Sequence, residues 1–299
     1  MSVAMAVIIP VRHNHKLSVL NSKLVGQSNS NLVMRILPVL LVFLLFSLPS
    51  FSGDKVLAQY NYSLYGVGVG QQKVSFLSPL FYTGYSFVLA NGKVKETSNR
   101  VTQFETNINL TANSNHDYNN FYSAGFGLCY NKYYLIPLKD CPDSYPYIFA
   151  GWGYWLDAEI DYKPTNTNNS TYYNLNNMAC VSVLCEKKFP NLRLSYQLKI
   201  PVFGIYSGSE YGSGLPYFLS EEGGNFFDSF DIGSVGMNPQ LLNRFNADFK
   251  MKTKSGVRTL RVEYEISSTK LKLNNNVKHN TFHIFKVGYL FNKSGYEHK

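Results

Sequence analysis

The sequence predicts an all-β protein, a transmembrane antiparallel up-and-down β-barrel of about ten strands, with eight or twelve as the alternative counts. Residues 147–162, YIFAGWGYWLDAEIDY, alternate over sixteen positions, whereas strands of soluble sheets average about five or six residues. Charged residues make up only 16% of the chain and aromatic residues 15%, against roughly 25% charged residues in soluble domains. The same alternation recurs along the chain, and no helical stripe of comparable length competes with it.

The length of the 147–162 segment fits a bilayer. At ~3.3 Å per residue it extends about 53 Å, and at a tilt of about 40° it covers roughly 40 Å of the membrane normal, more than the ~25 Å apolar band of a barrel. On its apolar face, Trp152 and Tyr162 lie where aromatic girdles at the two interfaces would fall. Because unpaired backbone groups cannot face lipid, such strands must close into a barrel.

The amino-terminal segment has the pattern of an export signal. Residues 34–52 begin with Arg35, continue with an apolar stretch and end in small residues, as in a secretory signal peptide. Cleavage after Ser52 fits the pattern, and cleavage after Ala58 is the alternative. Residues 1–33 have no period, and we interpret them as an unstructured leader or an over-long gene start. Residues 53–299 then form the barrel.

Periodicity and turn signals divide the barrel region into strands. Asn91-Gly92 predicts a tight hairpin, and the Asn-rich stretch 163–177 predicts a loop. The seventh strand has the weakest pattern. The predicted strands are 60–70, 80–90, 94–110, 120–135, 147–162, 191–204, 225–236, 244–253, 257–271 and 281–291.

The faces opposite the apolar ones predict a charged interior. Acids and bases occur there in near-equal numbers, so we expect a lumenal network that fills the barrel. Its predicted members are Asp157, Glu159, Asp161, Arg193, Lys199, Arg244, Asp248, Lys250, Arg261, Glu263 and Glu265. The predicted aromatic girdle on the lipid face consists of Trp152, Tyr154, Tyr162, Tyr289 and Phe291.

Other motifs point to structure rather than to chemistry. YGVGVG (65–70) lacks the following helix that nucleotide binding needs, so we expect its glycines to make room inside the barrel. The four cysteines predict disulfides after export, and Cys129–Cys141 with Cys180–Cys185 is the local pairing among three possible ones. Neither metal-ligand spacing nor a catalytic triad or dyad is present. No cofactor, metal or catalytic residue is therefore expected.

The last predicted strand, HIFKVGYLF (283–291), places Phe285, Val287, Tyr289 and Phe291 on one face. Here the chain, from about residue 59 to 291, resembles bacterial outer-membrane β-barrel proteins of the small opacity-like, adhesin-like and porin-like type. In that family the assembly machinery is thought to read an aromatic final strand. The resemblance implies the outer membrane of a Gram-negative bacterium as the location, with membrane lipid and the barrel-assembly machinery as partners.

We therefore expect a plugged barrel with a structural or adhesin-like role, whose loops contact an extracellular ligand. The candidate contact segments are the Tyr/Asn-rich 163–190 and 205–224. A narrow porin is one alternative. A barrel-embedded lipid or peptide hydrolase using His279 or His283 is the other. Despite a formal net charge of +9, basic residues lie singly on strands without a basic run, so no nucleic-acid partner is expected.

Overall fold

The computed structural model describes residues 56–117, 119–137, 145–166, 170–209, 230–234, 238–253, 256–273 and 276–292. The predicted leader and signal peptide lie outside these residues. Among the described residues, no helix is long and apolar enough to cross a membrane. The strands are β1 (Val56–Val74), β2 (Tyr82–Thr97), β3 (Arg100–Ser114), β4 (Asn120–Leu135), β5 (Tyr147–Tyr162), β6 (Thr171–Lys188), β7 (Leu192–Gly208), β8 (Phe230–Ser234), β9 (Gln240–Thr253), β10 (Gly256–Leu273) and β11 (Asn276–Asn292).

The strands form one antiparallel sheet that closes on itself. Each strand from β1 to β7 pairs with its neighbour in sequence, β9 to β11 continue the ring, and β11 pairs with β1. β8 and β9 pair with different parts of β7, β8 with Phe203–Ser207 and β9 with Leu192–Lys199. They therefore share one position, and the barrel has ten positions. The predicted fold class and the preferred count of ten are confirmed.

The count of ten was nevertheless reached through two compensating errors. Residues 171–188, predicted as part of a loop, form the full-length strand β6. The separate strand predicted at 225–236 contains only the five described residues of β8, which share a position with β9. Asparagine misled the prediction for β6, because Asn174 and Asn176 are buried on its lumenal face, where side-chain partners replace the backbone turn that asparagine favours in loops.

The hairpin predicted at Asn91-Gly92 is also wrong. β2 continues through both residues to Thr97, and the chain reverses at residues 98–99. Gly92 faces the lumen, where a Cβ atom would collide with the ring of Tyr62 on β1. The glycine therefore provides space for a neighbouring tyrosine rather than a positive φ. Gly66 has the same role, since a Cβ there would lie 2.6 Å from Cγ of Lys286.

A bulge interrupts β7 and changes which face its side chains occupy. Cys180 of β6 pairs with Pro201, whereas the preceding Ala179 pairs with Phe203, so Val202 is the extra residue. Proline is tolerated at such irregular positions because it cannot donate a backbone hydrogen bond. Before the bulge the odd-numbered Gln197 and Lys199 are buried in the lumen, whereas beyond it the even-numbered Tyr206 is buried there.

The two ends of the barrel differ in their connections. At the end where β1 begins and β11 finishes, three of the four connections are short, residues 98–99, 189–191 and 254–255, and the fourth, residues 136–146, is longer. We call this the turn end. At the opposite end, the loop end, the connections between β1 and β2, β5 and β6, and β7 and β8 are longer, although β10 and β11 are joined by residues 274–275 alone. Short turns on one side and long loops on the other are typical of transmembrane barrels.

The wall separates two chemically different faces. Large apolar side chains point outward and stay exposed, for example Tyr65 (61% exposed), Val67 (63%) and Tyr85 (74%). Many of the charged residues on the strands instead point inward and are buried. The predicted alternation is thus present, with the opposite polarity to that of a soluble β-protein.

Candidate functional site

Among the described residues, the buried charged side chains cluster in the lumen. The central feature of this cluster is an ion pair that crosses the lumen. Arg244 on β9 donates to both carboxylate oxygens of Glu105 on β3, at 2.8 and 2.9 Å. β3 and β9 are five positions apart in either direction around the ring. This central bridge therefore joins opposite walls. Its bidentate geometry is the strongest form of a charge-assisted hydrogen bond.

Further charges surround the central bridge on the Arg244 side. The guanidinium also contacts Glu265 at 2.7 Å and Glu263 at 3.0 Å. Lys286 bridges the same two carboxylates at 2.8 and 2.7 Å. On the other wall, the hydroxyl of Tyr62 donates to Glu105.

A second bridge crosses the lumen at the turn end. Arg193 on β7 lies 2.5 Å from Glu96 on β2, again five positions away, and 2.7 Å from Glu186 on β6. Lys188 contacts both carboxylates at 3.2 Å. Between this turn-end bridge and the central one, Arg261 binds Asp248 through two bonds of 2.7 and 2.8 Å.

A third bridge crosses the lumen at the loop end. Lys278 on β11 contacts Asp161 and Glu159 on β5, both at 2.7 Å, and these strands are also diametrically opposed. Gln72 donates to Asp161 at 2.7 Å and Ser123 donates to it at 2.5 Å. Asp161 is thus held by donors from three other strands.

The connection between β1 and β2 folds over this loop-end bridge. Phe76 and Leu77 from this connection are buried beside Tyr82, Phe121 and Tyr172. The rings of Phe76 and Tyr172 lie 5.6 Å apart, and those of Tyr82 and Phe121 5.3 Å. This aromatic lid places an apolar layer across the mouth of the lumen.

A small cavity of about 90 Å³ remains within the lumen. Charged and amide groups dominate its wall, including Asn107, Asn109, Asp157, Lys199 and Lys286. The central bridge contributes to the same wall through Glu105 and Arg244. Among the described residues, no group of three or more His, Cys, Asp or Glu side chains is placed to hold a metal ion.

Ten of the eleven predicted network residues face this lumen, and most of them are paired. Asp157 lines the cavity and accepts a 3.4 Å hydrogen bond from Asn176. Lys250 is the exception, because it is exposed near the turn end of β9. The predicted network did not include Glu96, Glu105, Glu186 and Lys278, which also face the lumen. Glu186 lay in the unrecognised β6, and Lys278 lay outside the predicted last strand. Alternation within the predicted strand 94–110 places Glu96 and Glu105 on opposite faces, and both face the lumen only because the chain reverses at residues 98–99.

The cysteines do not form the predicted local pairs. Cys129, Cys180 and Cys185 are free thiols, and Cys141 lies outside the described residues. Cys180 and Cys185 are five residues apart on one strand and on opposite faces. Their Cα atoms are therefore about 16 Å apart, beyond the ~7 Å that a disulfide spans, and the predicted Cys180–Cys185 bond is wrong. Cys129 instead accepts a hydrogen bond from Lys199 across the lumen.

The predicted girdle residues lie on the outward face. Tyr162, Tyr289 and Phe291 are 45%, 45% and 55% exposed, and Trp152 packs beside Tyr130, with 6.0 Å between ring centroids. Tyr154 is half-buried on the same face. Whether these side chains mark the two membrane interfaces stays a prediction.

The candidate contact segments and histidines are only partly described. Of 205–224, residues 205–208 complete β7, and 210–224 lie outside the described residues. His279 and His283 both face outward, and Nδ1 of His283 lies 2.7 Å from the hydroxyl of Tyr264. These two histidines therefore share no site with the lumenal carboxylates.

Comparison with known proteins gives one family match and several matches of fold. Residues 38–295 match the model of the family described as "Protein of unknown function (DUF3316)". No curated protein matches the sequence.

Similar solved structures include three bacterial barrels. The translocator domain of the autotransporter NalP from Neisseria meningitidis is 10% identical, with a TM-score of 0.40 over 88% of this chain and 98% of that one. The outer membrane protease OmpT from Escherichia coli is 9% identical, with a TM-score of 0.46 over 82% and 99%. An outer membrane channel from Pseudomonas putida F1 is 9% identical, with a TM-score of 0.34 over 82% and 100%. Similarity at this level transfers no function.

Proposed function

The chain belongs to the DUF3316 family, and we propose that it is a plugged β-barrel of the Gram-negative outer membrane that presents its loop end for surface interactions. The proposal has two parts, a wall embedded in lipid and a lumen that does not conduct. The outward apolar face supports the first part. The three cross-lumen bridges support the second.

The wall is better suited to hydrocarbon than to water. Exposed aromatic and aliphatic side chains occur on every full-length strand, including Phe87 on β2, Phe126 on β4 and Phe245 on β9. Monomeric soluble proteins rarely expose contiguous apolar patches above a few hundred Å². A lipid environment removes that cost, and in the closed ring every strand except the short β8 is paired along both edges.

The lumen is closed at three successive heights. The turn-end, central and loop-end bridges each tie opposite walls together, and the aromatic lid covers the last of them. Ions passing through would have to separate buried charge pairs, which is costly in a low-dielectric interior. A role that does not need transport, such as adhesion or structural support at the surface, therefore fits the lumen better than a pore does.

Planar-bilayer recording tests this proposal. The purified protein is inserted after its heat-modifiable gel migration has shown that it is folded, and a porin serves as the positive control. We expect a silent bilayer at vesicle loadings that give many channels for the porin. Stepwise conductance would replace the proposal with the narrow-channel alternative. A folded protein that stays soluble in water without detergent would contradict the proposed membrane location itself.

A further inference from the structure

The outward surface of β10, β11 and β1 changes in composition from one end of the barrel to the other. The pairing registers align these strands into cross-strand rows of three outward residues. The row nearest the loop end with three ionisable groups contains Lys270, His279 and Lys73. Lys272 lies two residues beyond Lys270 on the same face of β10, so we call these four residues the basic row.

Nothing within the described chain neutralises the basic row. Lys270 and Lys272 are exposed, Lys73 and His279 are half-buried, and among the described residues none of the three lysines forms an ion pair. The acidic side chains of the neighbouring wall, Glu263 and Glu265, point into the lumen instead. Phe81 lies against the row, 5.2 Å from the Lys73 ammonium and 6.2 Å from the His279 ring.

Successive rows become less polar away from the loop end. The next row is neutral and polar, with Ser268, Thr281 and Gln71. Below it the wall is mainly apolar and aromatic over four rows, of which the first places Ile266 and Val69 on either side of His283. At the opposite end a row contains Arg258 and Asn61 beside Phe291.

These rows give the basic row a depth in the membrane. Lys270 and Arg258 are twelve residues apart on β10, which corresponds to about 40 Å along the strand and about 30 Å along the membrane normal at the usual tilt. Two polar rows at that separation enclose an apolar band of the thickness expected for an outer membrane. The basic row therefore lies at the level of lipid headgroups on the loop-end side.

We propose that the basic row binds the phosphate groups of a phosphorylated glycolipid in the outer leaflet. This inference rests on the proposed membrane location. Lys73 and Lys270 lie one strand to either side of His279, about 10 Å apart. Their positive charges repel one another unless an anion lies between them. Each lysine near an anionic membrane surface strengthens binding roughly fivefold.

The surroundings favour a lipid over a free phosphate ion. The row continues without a break into hydroxyl and amide side chains and then into Val69 and Ile266. An acylated sugar phosphate would place its phosphate on the lysines, its sugar hydroxyls against the polar row and its acyl chains along the apolar rows. A free phosphate ion would use only the first of these three layers.

The test uses the full-length protein in detergent and native mass spectrometry. The binding variant is K73S/K270S/K272S, and the control is K93S/K95S/K187S, which removes three exposed or half-buried lysines near the turn end. The probes are a bisphosphorylated acyl-diglucosamine (lipid A), its phosphatase-treated form and inorganic phosphate.

We expect the binding variant to hold lipid A at least about tenfold more weakly than the wild type, and the control to bind like the wild type. Dephosphorylated lipid A should also bind at least tenfold more weakly. Equal lipid A binding by the binding variant and the wild type would overturn the proposal. Inorganic phosphate that displaces lipid A at equal concentration would overturn the choice of a lipid.

Failure of this inference can be distinguished from failure of the proposed function. Heat-modifiable migration and detergent dependence are measured on the same three preparations. If the barrel is folded and needs detergent but its lipid A binding is unchanged by the loss of the three lysines, only the assignment of the basic row as a binding site is contradicted. A protein that is folded and soluble without detergent contradicts the membrane location, and the inference fails with it.

Discussion

Arg244 and Glu105 are 139 residues apart in sequence, yet they form a two-bond ion pair across the full width of the lumen. Arg244 is 4% and Glu105 2% exposed, so bulk water cannot solvate either charge in place of its partner. Closure of the ring is what brings them together, since their strands are neighbours in neither sequence nor sheet. The pair therefore forms only when the barrel is closed.

Removing one member of this pair should strongly destabilise the barrel. Glu105→Gln removes the negative charge that the buried Arg244 guanidinium binds through two hydrogen bonds. Loss of one partner of a buried pair costs about 3–5 kcal/mol. Urea unfolding in lipid vesicles, followed by tryptophan fluorescence, measures the change. Thr106→Ala on the outward face is the matched control and should change the free energy of unfolding by less than about 1 kcal/mol.

The double variant E105L/R244M separates pairing from packing. Because apolar replacement of a whole buried pair is often neutral, we expect it to recover most of the stability lost in Glu105→Gln. A Glu105→Gln variant as stable as the wild type would show that the central bridge is not formed in the folded protein.

Gly92 should not tolerate even a methyl group. A Cβ atom at this position collides with the ring of Tyr62, whose hydroxyl donates to Glu105. We expect Gly92→Ala to lower the free energy of unfolding by about 1–3 kcal/mol, the usual cost of overpacking. The same urea titration measures it, with the exposed neighbour substitution Lys93→Ala as the control. If Gly92→Ala and Lys93→Ala unfold alike, β2 does not pass Gly92 beside Tyr62.

The loop end should face the outside of the cell. Pro79, in the connection between β1 and β2, and Asn99, in a two-residue turn at the other end, are both exposed. A membrane-impermeant maleimide should label Pro79→Cys in intact cells, and Asn99→Cys only after the outer membrane is permeabilised. The reverse labelling pattern would show that the barrel is inserted in the opposite orientation, with the basic row in the inner leaflet.

The alternation of side chains was enough to predict the fold class, because a two-residue period over sixteen positions has few soluble explanations. β5 was placed at its observed bounds, Tyr147–Tyr162, since its pattern is uninterrupted. β6 was missed because its lumenal face carries asparagines, which a local rule assigns to loops. Only the closed lumen, a feature of the whole chain, makes a buried asparagine row acceptable.

The partners within the lumen could not be predicted in the same way. Arg193, Arg244 and Lys278 each bind a carboxylate from the opposite wall, and the sequence carries no local signal for such a pairing. Which residues meet depends on the register of all ten positions, and a bulge of one extra residue, such as Val202, shifts the faces beyond it. The alternation of side chains therefore predicts a charged interior, but it does not predict which charged residues pair with each other.

The two tryptophans of the chain allow the most direct test of which face meets lipid. Trp152 points outward beside Tyr130, whereas Trp155, three residues later, packs in the lumen against Met178 and Cys180. The variants W155F and W152F leave one tryptophan each. In vesicles containing phospholipids brominated on their acyl chains, we expect strong quenching of Trp152 fluorescence in W155F and little quenching of Trp155 in W152F. Equal quenching of the two, or stronger quenching of Trp155, would contradict a wall whose apolar face meets hydrocarbon and whose charges face the lumen.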